Sequence, residues 1–406
     1  MFDQLLKLSA APKKNLSLLE NIIILLSLRK KLSAESKQID LQQPLAKKAS
    51  FYADLSTKFL SSFMPNNLGN WTKYSPHSIS TQLEKQTIEI IKSYYQADKN
   101  INGYLSSGST EGNIYATWLG RNFLRQKLKS ENKKICLLKS SLAHYSVDKA
   151  ADLTDVEVKE LAINQKEWNI DLNYLENALE LNYQNNYRGF LLPITLGYTV
   201  TGTEDNLEKI CQTIKNFKKK HPETFFFVWL DAAFNGISKN FTQKKFKPFE
   251  NKYIQLITTD FHKLLRNPYS SGLILYRKGL DQYISRKIPY IENMLDTTLL
   301  GSRSGILAIT SWFNLINLNK NKLEKLFLKA RLEKESFIKE IIKKKEIKVE
   351  VISNPYSVQA CLVHENKKSA RIAKEKFKLN SFEYQILFPN GKKRLQLSKL
   401  FFLPKF

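Results

Sequence analysis

The chain has 406 residues, a formal net charge of +26 at pH 7, 42% hydrophobic residues and 12% aromatic residues. The hydrophobic content excludes a mostly disordered chain, and the length predicts one large domain accompanied by a smaller one. The positive charge raises the hypothesis of nucleic-acid binding. However, lysines are spread along the whole chain without a binding motif, so we expect no specific nucleic-acid partner.

The N-terminal region and the cysteines bear on the compartment in which the chain works. The apolar run of residues 22–28 ends at Arg29 and is too short to cross a bilayer, and residues 1–3 do not resemble the start of a signal peptide. The three cysteines are far apart and have no metal-ligand spacing; they are Cys136, Cys211 and Cys361. We therefore expect reduced thiols in the cytoplasm, no metal site and no membrane association.

The hydrophobic pattern changes along the chain. Residues 1 to about 60 carry leucine and isoleucine at helical spacing and predict a helical segment. From about residue 100 to 280, short β-branched or aromatic runs alternate with charged amphipathic stretches, which predicts βαβ units around a mostly parallel sheet. The predicted strands are 134–138, 189–194, 225–230 and 253–257, and the predicted helices include 172–184 and 205–220.

The C-terminal part predicts a second, smaller domain. Residues 305–345 have the pattern of a long helical stretch, and residues 348–352 and 360–363 have that of strands separated by turn signals. We therefore expect an N-terminal helical segment over 1–60, a large domain over 61–305 and a small α+β domain over 306–406.

Residues 103–113 combine glycines with small hydroxyl residues immediately before a predicted helix that begins at Ile114. Free backbone amides and the helix dipole favour a phosphate at such a place, so the loop predicts an anion site. Loops rich in glycine and serine are common, and an ordinary loop is the alternative interpretation.

His144 follows the predicted strand 134–138 and precedes a predicted helix. Ligand sites in parallel sheets gather at the carboxyl ends of the strands. A histidine there could stack on a planar cofactor or contact a substrate carboxylate. A purely structural histidine is the alternative.

Asp231 stands at the end of a six-residue apolar run and is followed by two alanines. A carboxylate in this position needs a cationic partner, because burying an unpaired charge is costly. The protonated nitrogen of a pyridine cofactor is such a partner, and it makes the ring an electron sink. Ala233 would leave room for a flat ring beside the strand. The alternative is an aspartate that caps a helix.

Lys263 ends the segment 258–263, which directly follows a predicted buried strand. Lysine is among the residues least often buried, so a lysine at the end of a core strand needs an explanation. A Schiff base with a carbonyl cofactor provides one, because the amine loses its charge and the cofactor gains a covalent anchor. His262 could then pack on the ring or reach a phosphate. The alternative is an ordinary surface lysine.

Taken together and in this order, these segments resemble the group II pyridoxal-phosphate-dependent amino acid decarboxylases, in particular their histidine decarboxylase and plant serine decarboxylase branch. The likeness covers roughly residues 60 to 315. Its further motifs are residues 66–71, 104–113, 144–149, 195–205, 290–291 and 296–305. The resemblance implies pyridoxal 5′-phosphate as cofactor. It also implies a fold-type I α/β enzyme with a mostly parallel central sheet flanked by helices and a smaller α+β C-terminal domain.

The resemblance also implies a reaction. We expect decarboxylation of an L-amino acid to the amine and carbon dioxide, with L-histidine as the first substrate to test and L-serine as the next. Two alternatives remain open. One is another pyridoxal-phosphate-dependent reaction on the same fold, such as that of a lyase or an aminotransferase. The other is a degenerate homologue that binds the cofactor without catalysis.

Roles for individual residues follow from the resemblance alone. Lys263 would carry the cofactor, Asp231 would pair with its ring nitrogen, and His144 would stack on the ring beside the substrate. Tyr290 would be a proton donor during turnover.

The remaining residues carried over from the family bind the phosphate, line the cofactor or reach a partner. Ser109 and Thr110 would hold the phosphate together with His262. The other residues expected at the cofactor are Ala233, Thr258, Asp260 and Ser302. Ser302 and Arg303 resemble a segment that reaches the neighbouring subunit's site, which implies a homodimer with shared active sites.

The chain departs from the pattern of the branch at positions that we expect to line the cofactor and substrate region. Asp260 and Phe261 stand where the branch has Ser-Gly before its His-Lys pair, and an aspartate would repel a phosphate. Arg266 replaces a glycine, Tyr198 a threonine and Ser304 an asparagine. These departures leave the substrate open.

Overall fold

The computed structural model describes residues 18–37, 49–69, 78–129, 132–242, 246–290 and 295–403. The chain divides into two compact units, residues 1–41 and residues 42–406. The first unit contains helix α1, Leu18–Lys37. Among the residues that the structure describes, every helix falls short of the length and apolar character that a membrane span requires.

A seven-stranded sheet forms the centre of the second unit. In chain order its strands are β1 (Ile101–Ser106), β2 (Lys134–Ser140), β3 (Glu157–Leu161), β4 (Tyr187–Thr195), β5 (Phe225–Asp231), β6 (Ile254–Asp260) and β7 (Gly272–Arg277). Their order across the sheet is β1-β7-β6-β5-β4-β2-β3. Strands β2 to β6 pair in parallel, whereas β7 is antiparallel to both neighbours. The predicted mostly parallel sheet is confirmed.

The helices that precede β7 flank this sheet, except the first of them, which packs on residues 305–317. They are α2 (Phe51–Leu60), α3 (Ile79–Tyr94), α4 (Ser109–Leu128), α5 (Ser146–Leu153), α6 (Leu172–Gln184), α7 (Leu207–Lys220), α8 (Asn235–Thr242) and the short α9 (Phe261–Leu264). Helix α4 packs on the middle of the sheet, where Tyr115 and Leu119 share a buried core with Leu191 and Phe227. The central strands are apolar along nearly their whole length because both of their faces are covered.

Side-chain caps explain where the two predicted helices between these strands begin. Asp171 precedes α6 and its side chain accepts a hydrogen bond from the Tyr174 amide, and Asn206 does the same for the Lys209 amide at the start of α7. The predicted helix 172–184 is confirmed at both ends. The predicted helix 205–220 begins two residues later than expected, because Asn206 serves as its cap.

The C-terminal part contains a second sheet. A two-stranded pair, β8 (Arg286–Lys287) and β9 (Leu295–Asp296), precedes helices α10 (Gly305–Asn317) and α11 (Lys320–Lys343). Then follow β10 (Val349–Ser353), β11 (Gln359–His364), α12 (Lys367–Phe377), β12 (Phe382–Phe388) and β13 (Gly391–Phe401). Strands β10 to β13 form an antiparallel sheet in the order β10-β11-β13-β12.

The single helical stretch predicted for residues 305–345 is two helices. Helix α10 ends at Asn317, and Asn319 caps α11 by accepting a hydrogen bond from the Lys322 amide. The cap side chain favours a new helix start over continuation of the first helix. The two predicted C-terminal strands correspond to β10 and β11, and the boundaries of the three predicted domains stay predictions.

Candidate active site

The carboxyl ends of several strands meet at one edge of the large sheet, because β1, β2, β5 and β6 run in the same direction. Ser109 follows β1, His144 follows β2, and Asp231 and Asp260 are the last residues of β5 and β6. Lys263 lies on α9, one turn beyond β6. We call Ser109, His144, Asp231, Asp260, His262 and Lys263 the edge cluster. Ligands of parallel sheets bind at this edge.

Lys263 is mostly buried. Its side chain is 16% exposed, and its Nζ lies 2.9 Å from Asp260 Oδ2. The same nitrogen lies 5.6 Å from the centroid of the Phe234 ring. Lys263 is therefore not an ordinary surface lysine, and its ammonium is held by a carboxylate of the edge cluster.

Asp231 is oriented by a network of buried side chains. The amide of Asn113 donates to Asp231 Oδ2 over 2.9 Å, and the backbone N–H of Ala233 donates to Oδ1 over 3.3 Å. The indole of Trp229 donates to Asn113 Oδ1 over 2.9 Å, which fixes which end of the Asn113 amide faces Asp231. Helix α8 begins only at Asn235, so Asp231 does not cap it. A carboxylate has about four lone-pair sites, so Asp231 keeps capacity for a further donor such as a ring nitrogen.

The same asparagine also reaches the histidine of the cluster. Asn113 Nδ2 donates to Ser146 Oγ over 2.9 Å, and Ser146 Oγ lies 2.8 Å from His144 Nδ1. Since Ser146 Oγ accepts from Asn113, its hydroxyl proton is available to Nδ1. A neutral His144 then carries its proton on Nε2. Burial lowers the pKa of His144 against the opposing effect of Asp231, so the ring is neutral at pH 7.

The loop before α4 offers an anion site. Gly108 has a φ of +130°, which favours glycine, and a Cβ there would lie 3.1 Å from Asp260 Oδ1 and 3.0 Å from His262 Cε1. Ser109 is buried and its Oγ has no hydrogen-bond partner within the described residues, whereas Thr110 is exposed. An unpartnered hydroxyl at the start of a 20-residue helix suits the oxygens of a phosphate.

Neighbouring residues hold this loop against the sheet. Glu111 accepts hydrogen bonds from the Ser107 amide over 2.7 Å and from the Tyr104 hydroxyl over 3.0 Å. A Cβ on Gly112 would lie 1.9 Å from Thr258 Oγ1, so only glycine allows α4 to approach β6 this closely. Thr258 is fully buried beneath the helix and keeps an unpartnered hydroxyl within the described part of the chain.

Asp260 occupies the position at which the helix favours an anion. Its Oδ1 accepts the Ser109 amide over 2.6 Å, and its Oδ2 lies 3.6 Å from His262 Nε2. Burial alone would raise the pKa of Asp260, but Lys263, His262 and the hydrogen bonds from Lys263 and Ser109 lower it below its ordinary value. Burial lowers the pKa of His262 against the opposing effect of Asp260. The carboxylate is therefore ionised beside a largely neutral imidazole.

The edge cluster fits pyridoxal phosphate. The buried hydroxyl of Ser109 lacks a partner and suits a phosphate oxygen, and Asp231 has acceptor capacity for a protonated ring nitrogen. The amine of Lys263 lies at the same edge of the sheet. Asp260 lies at the loop itself, where its Oδ1 accepts the Ser109 amide, and its negative charge opposes a phosphate there.

Other predicted residues lie apart from the edge cluster. Tyr290 is 80% exposed and forms no hydrogen bond with the cluster within the described ranges. Ser302 Oγ accepts from the amide of Asn66 over 3.2 Å. The motif residues Asn70 and Trp71 lie outside the described residues, as does Ile291.

Arg303 is held inside its own chain. Its guanidinium pairs with Glu84, which is fully buried, and donates to the backbone oxygens of Leu105 over 3.0 Å and Gly69 over 2.9 Å. In the described residues this side chain therefore joins the segment before α10 to α3 and β1.

Two departures from the family pattern have structural roles. Tyr198 is fully buried in the core shared with the C-terminal sheet and donates to Asp205 Oδ1 over 2.6 Å. Burial raises the pKa of Asp205 to about 6 despite this hydrogen bond. Ser304 caps α10 through the Leu307 amide. The expectation that Tyr198 lines the cofactor region stays a prediction; its ring packs in that core and its hydroxyl faces Asp205.

Sequence reasoning did not assign roles to Asn113, Ser146 and Trp229, which connect the cluster. Asn113 is a fully buried polar residue inside a helix, and a buried amide requires partners. Its position four residues into α4 was a usable signal, because that turn faces the strand ends.

Residues 15–347 match the model of the pyridoxal-dependent decarboxylase conserved domain. This chain belongs to that family. Pyridoxal phosphate is its cofactor, as predicted from the lysine, aspartate and phosphate-loop motifs.

Curated relatives of this decarboxylase-family protein differ in their named substrates. It is 29% identical over 276 residues to a tryptophan decarboxylase of Clostridium sporogenes, and the aligned region covers 64% of this chain and 64% of that relative. It is 25% identical over 266 residues to a histidine decarboxylase of Vibrio anguillarum, with 65% of each chain covered. The matches thus span slightly less than two thirds of these relatives.

Solved structures support the fold. L-Methionine decarboxylase from Streptomyces sp. 590 superposes with a TM-score of 0.79 at 16% sequence identity, over 98% of this chain and 94% of that one. The predicted fold-type I architecture is confirmed.

Proposed function

We propose that this protein is a pyridoxal-phosphate-dependent decarboxylase of an L-amino acid. The observation that carries the proposal is the convergence of Lys263, Asp231 and His144 at one edge of the sheet, beside a loop with an unpartnered buried serine hydroxyl. Family membership supports it independently.

Each residue has a proposed task. Lys263 binds the cofactor aldehyde, and Asp231 accepts a hydrogen bond from its ring nitrogen. Ser109 and Thr110 bind the phosphate with His262. When bound, the cofactor serves as an electron sink for the bond that loses carbon dioxide. His144 packs against the ring with its Nε2–H directed away from Ser146, where it can orient the substrate carboxylate.

Further residues are proposed to contact the cofactor or to act during turnover. Ala233 and Thr258 line the strand ends at which the ring would lie, and Asp260 borders the phosphate position. Ser302 is proposed to contribute from the segment before α10. Tyr290 is proposed as the proton donor, and its high exposure leaves it accessible to a second subunit.

For the substrate, we propose L-histidine first and L-serine second. The histidine decarboxylase relative supports L-histidine as a candidate, but the tryptophan decarboxylase relative has the higher identity. L-Tryptophan therefore belongs in the same panel of substrates.

We also propose a homodimer with shared active sites in the cytoplasm. Large apolar side chains near the start of the second unit are exposed, which is typical of interaction surfaces; they are Phe51, Phe59, Phe63 and Met64. The three cysteines are free and buried, in keeping with a reducing compartment.

The decisive experiment is an amino acid panel assayed for carbon dioxide release and for the amine by mass spectrometry. We expect one amino acid to yield both products, and Lys263→Ala to abolish them together with the borohydride-reducible cofactor adduct. A reducible adduct in Lys263→Ala would overturn the assignment of the lysine. A keto acid product would instead indicate an aminotransferase.

A further inference from the structure

Asp260 and a cofactor phosphate would compete for the same place. In the structure Asp260 Oδ1 accepts the Ser109 amide over 2.6 Å at the start of α4. The Ser109 hydroxyl beside it is buried and unpartnered within the described residues, which points to a ligand oxygen at this position. The carboxylate is 4% exposed and cannot turn into solvent without disturbing the sheet edge. A phosphate that binds here meets a buried negative charge.

We propose that phosphate binding is coupled to the uptake of one proton, which Asp260 and His262 share. This proposal rests on the proposed phosphate position at Ser109 and Thr110. Two adjacent anions in a buried site repel each other strongly, and a site of this kind relieves the repulsion by binding a proton. His262 is the neighbouring group that can accept one.

The geometry gives the proton a defined location. His262 Nδ1 lies 2.8 Å from the backbone oxygen of Ser271, to which it donates when it is protonated, and 3.3 Å from the Ser271 amide, from which it accepts when it is not. Its Nε2 faces Asp260 Oδ2 at 3.6 Å. A proton on Nε2 therefore lies between the imidazole and the carboxylate, next to Gly108, where a phosphate oxygen would approach.

Other charged groups act on Asp260 from the surrounding elements. Lys263, on the same helix as His262, pairs with Asp260 at 2.9 Å. Tyr269, in the loop before β7, and His144, after β2, both interact electrostatically with the Asp260 carboxylate. Burial raises the pKa of Tyr269 to about 12 and lowers that of His144. Neither Tyr269 nor His144 therefore changes its charge between pH 7 and pH 8. The proposed proton is assigned to His262 and Asp260 because their facing atoms lie 3.6 Å apart beside the loop.

The coupling predicts a direction for the pH dependence. The unliganded pair lacks the proton at neutral pH, whereas the liganded pair holds it. Raising the pH therefore weakens phosphate binding, by up to about tenfold in Kd for each pH unit when one proton is taken up.

A cofactor analogue without the aldehyde separates this effect from the chemistry of Lys263. We would measure binding of 4′-deoxypyridoxine 5′-phosphate by titration calorimetry from about pH 6.5 to about pH 8.5, in buffers of different ionisation enthalpy to count protons. 4′-Deoxypyridoxine, which lacks the phosphate, is the ligand control. Asp260→Asn is the test variant. Asp148→Asn is the matched control. It also removes one carboxylate charge, but from a half-exposed side chain that pairs with Lys139.

We expect the wild type and Asp148→Asn to take up about one more proton than Asp260→Asn on binding the phosphate analogue. The Kd of Asp260→Asn should then rise less steeply with pH, and the difference should vanish for the ligand without phosphate. Equal slopes for the wild type and Asp260→Asn, with tight binding to both, would overturn the proton coupling and leave the proposed function intact. If the phosphate gave the wild type no gain in affinity, the placement of the phosphate and this proposal would both be wrong.

Discussion

Asn113 links the two groups that flank the proposed cofactor ring. One of its amide hydrogens faces Asp231 and the other faces Ser146, which in turn contacts His144. The indole of Trp229 holds the amide oxygen and prevents the reverse orientation. The carboxylate and the imidazole are therefore oriented by the same side chain, and Asn113 and Ser146 are positioning residues.

Ser146→Ala tests this role. The variant removes the hydroxyl that donates to His144 Nδ1, so we expect a larger share of the tautomer that carries its proton on Nδ1. Loss of one such hydrogen bond costs about 1 kcal/mol, so kcat should fall about fivefold. The ¹⁵N shifts of the His144 ring report the tautomer directly.

A second serine provides the control for this substitution. Ser238 is also fully buried, but its hydroxyl donates to the backbone oxygen of Asn235 in its own helix. Ser238→Ala should leave the His144 shifts and the pH profile of kcat unchanged. An unaltered His144 spectrum in Ser146→Ala would show that the hydroxyl does not set the tautomer.

At the scale of elements, the buried Glu84–Arg303 pair joins three distant segments. Glu84 lies on α3 and also accepts the Leu105 amide of β1 over 2.9 Å, and Asn67 donates to its other oxygen. Arg303 belongs to the segment before α10. Because the pair is buried, removal of one partner leaves an uncompensated charge.

Arg303→Met should therefore lower the free energy of unfolding by about 3–5 kcal/mol. The double variant Glu84→Gln/Arg303→Met should lose less, because it leaves no lone charge. Lys58→Met is the comparison, since its pair with Asp54 is 64% and 52% exposed and contributes about 0–1 kcal/mol. Chemical denaturation measures all three. A loss in Arg303→Met no larger than that in Lys58→Met would contradict the structural role.

The sequence predicted the elements that bear the site better than the contacts within it. The strand runs placed Asp231 and Lys263 at one edge, because parallel strands end together. The link from Trp229 through Asn113 to Ser146 could not be predicted, since it depends on the distances from α4 to β5 and to α5. The packing of Tyr198 could not be predicted either. The family pattern suggested the cofactor region for this position, whereas the Tyr198 ring packs in the core near the second sheet.

At the scale of the whole molecule, the proposed dimer determines which chain supplies Tyr290 to each site. If Tyr290 serves the partner's Lys263, a mixture of Lys263→Ala and Tyr290→Phe subunits should regain about one quarter of the wild-type activity. This follows because half of the dimers are mixed and each mixed dimer has one intact site. The measurement is turnover after the two inactive variants are refolded together.

Each variant refolded alone is the control and should stay inactive. Recovery in the mixture supports a shared site. A mixture as inactive as its components, with mixed dimers demonstrated by mass spectrometry, would place Tyr290 and Lys263 of one chain in the same site.

The pairing of β1 with β7 has a consequence for the folding of this protein during its synthesis on the ribosome. Residues 101–106 pair with residues 272–277, although β1 is the first strand of the sheet to be made. At ordinary synthesis rates the intervening segment of about 170 residues takes roughly 10–30 s to emerge. During that time the nascent chain carries an unpaired strand and a phosphate loop that still lacks His262. The cofactor pocket is therefore completed late in translation, and a chaperone that shields β1 during this interval would raise the yield of active enzyme.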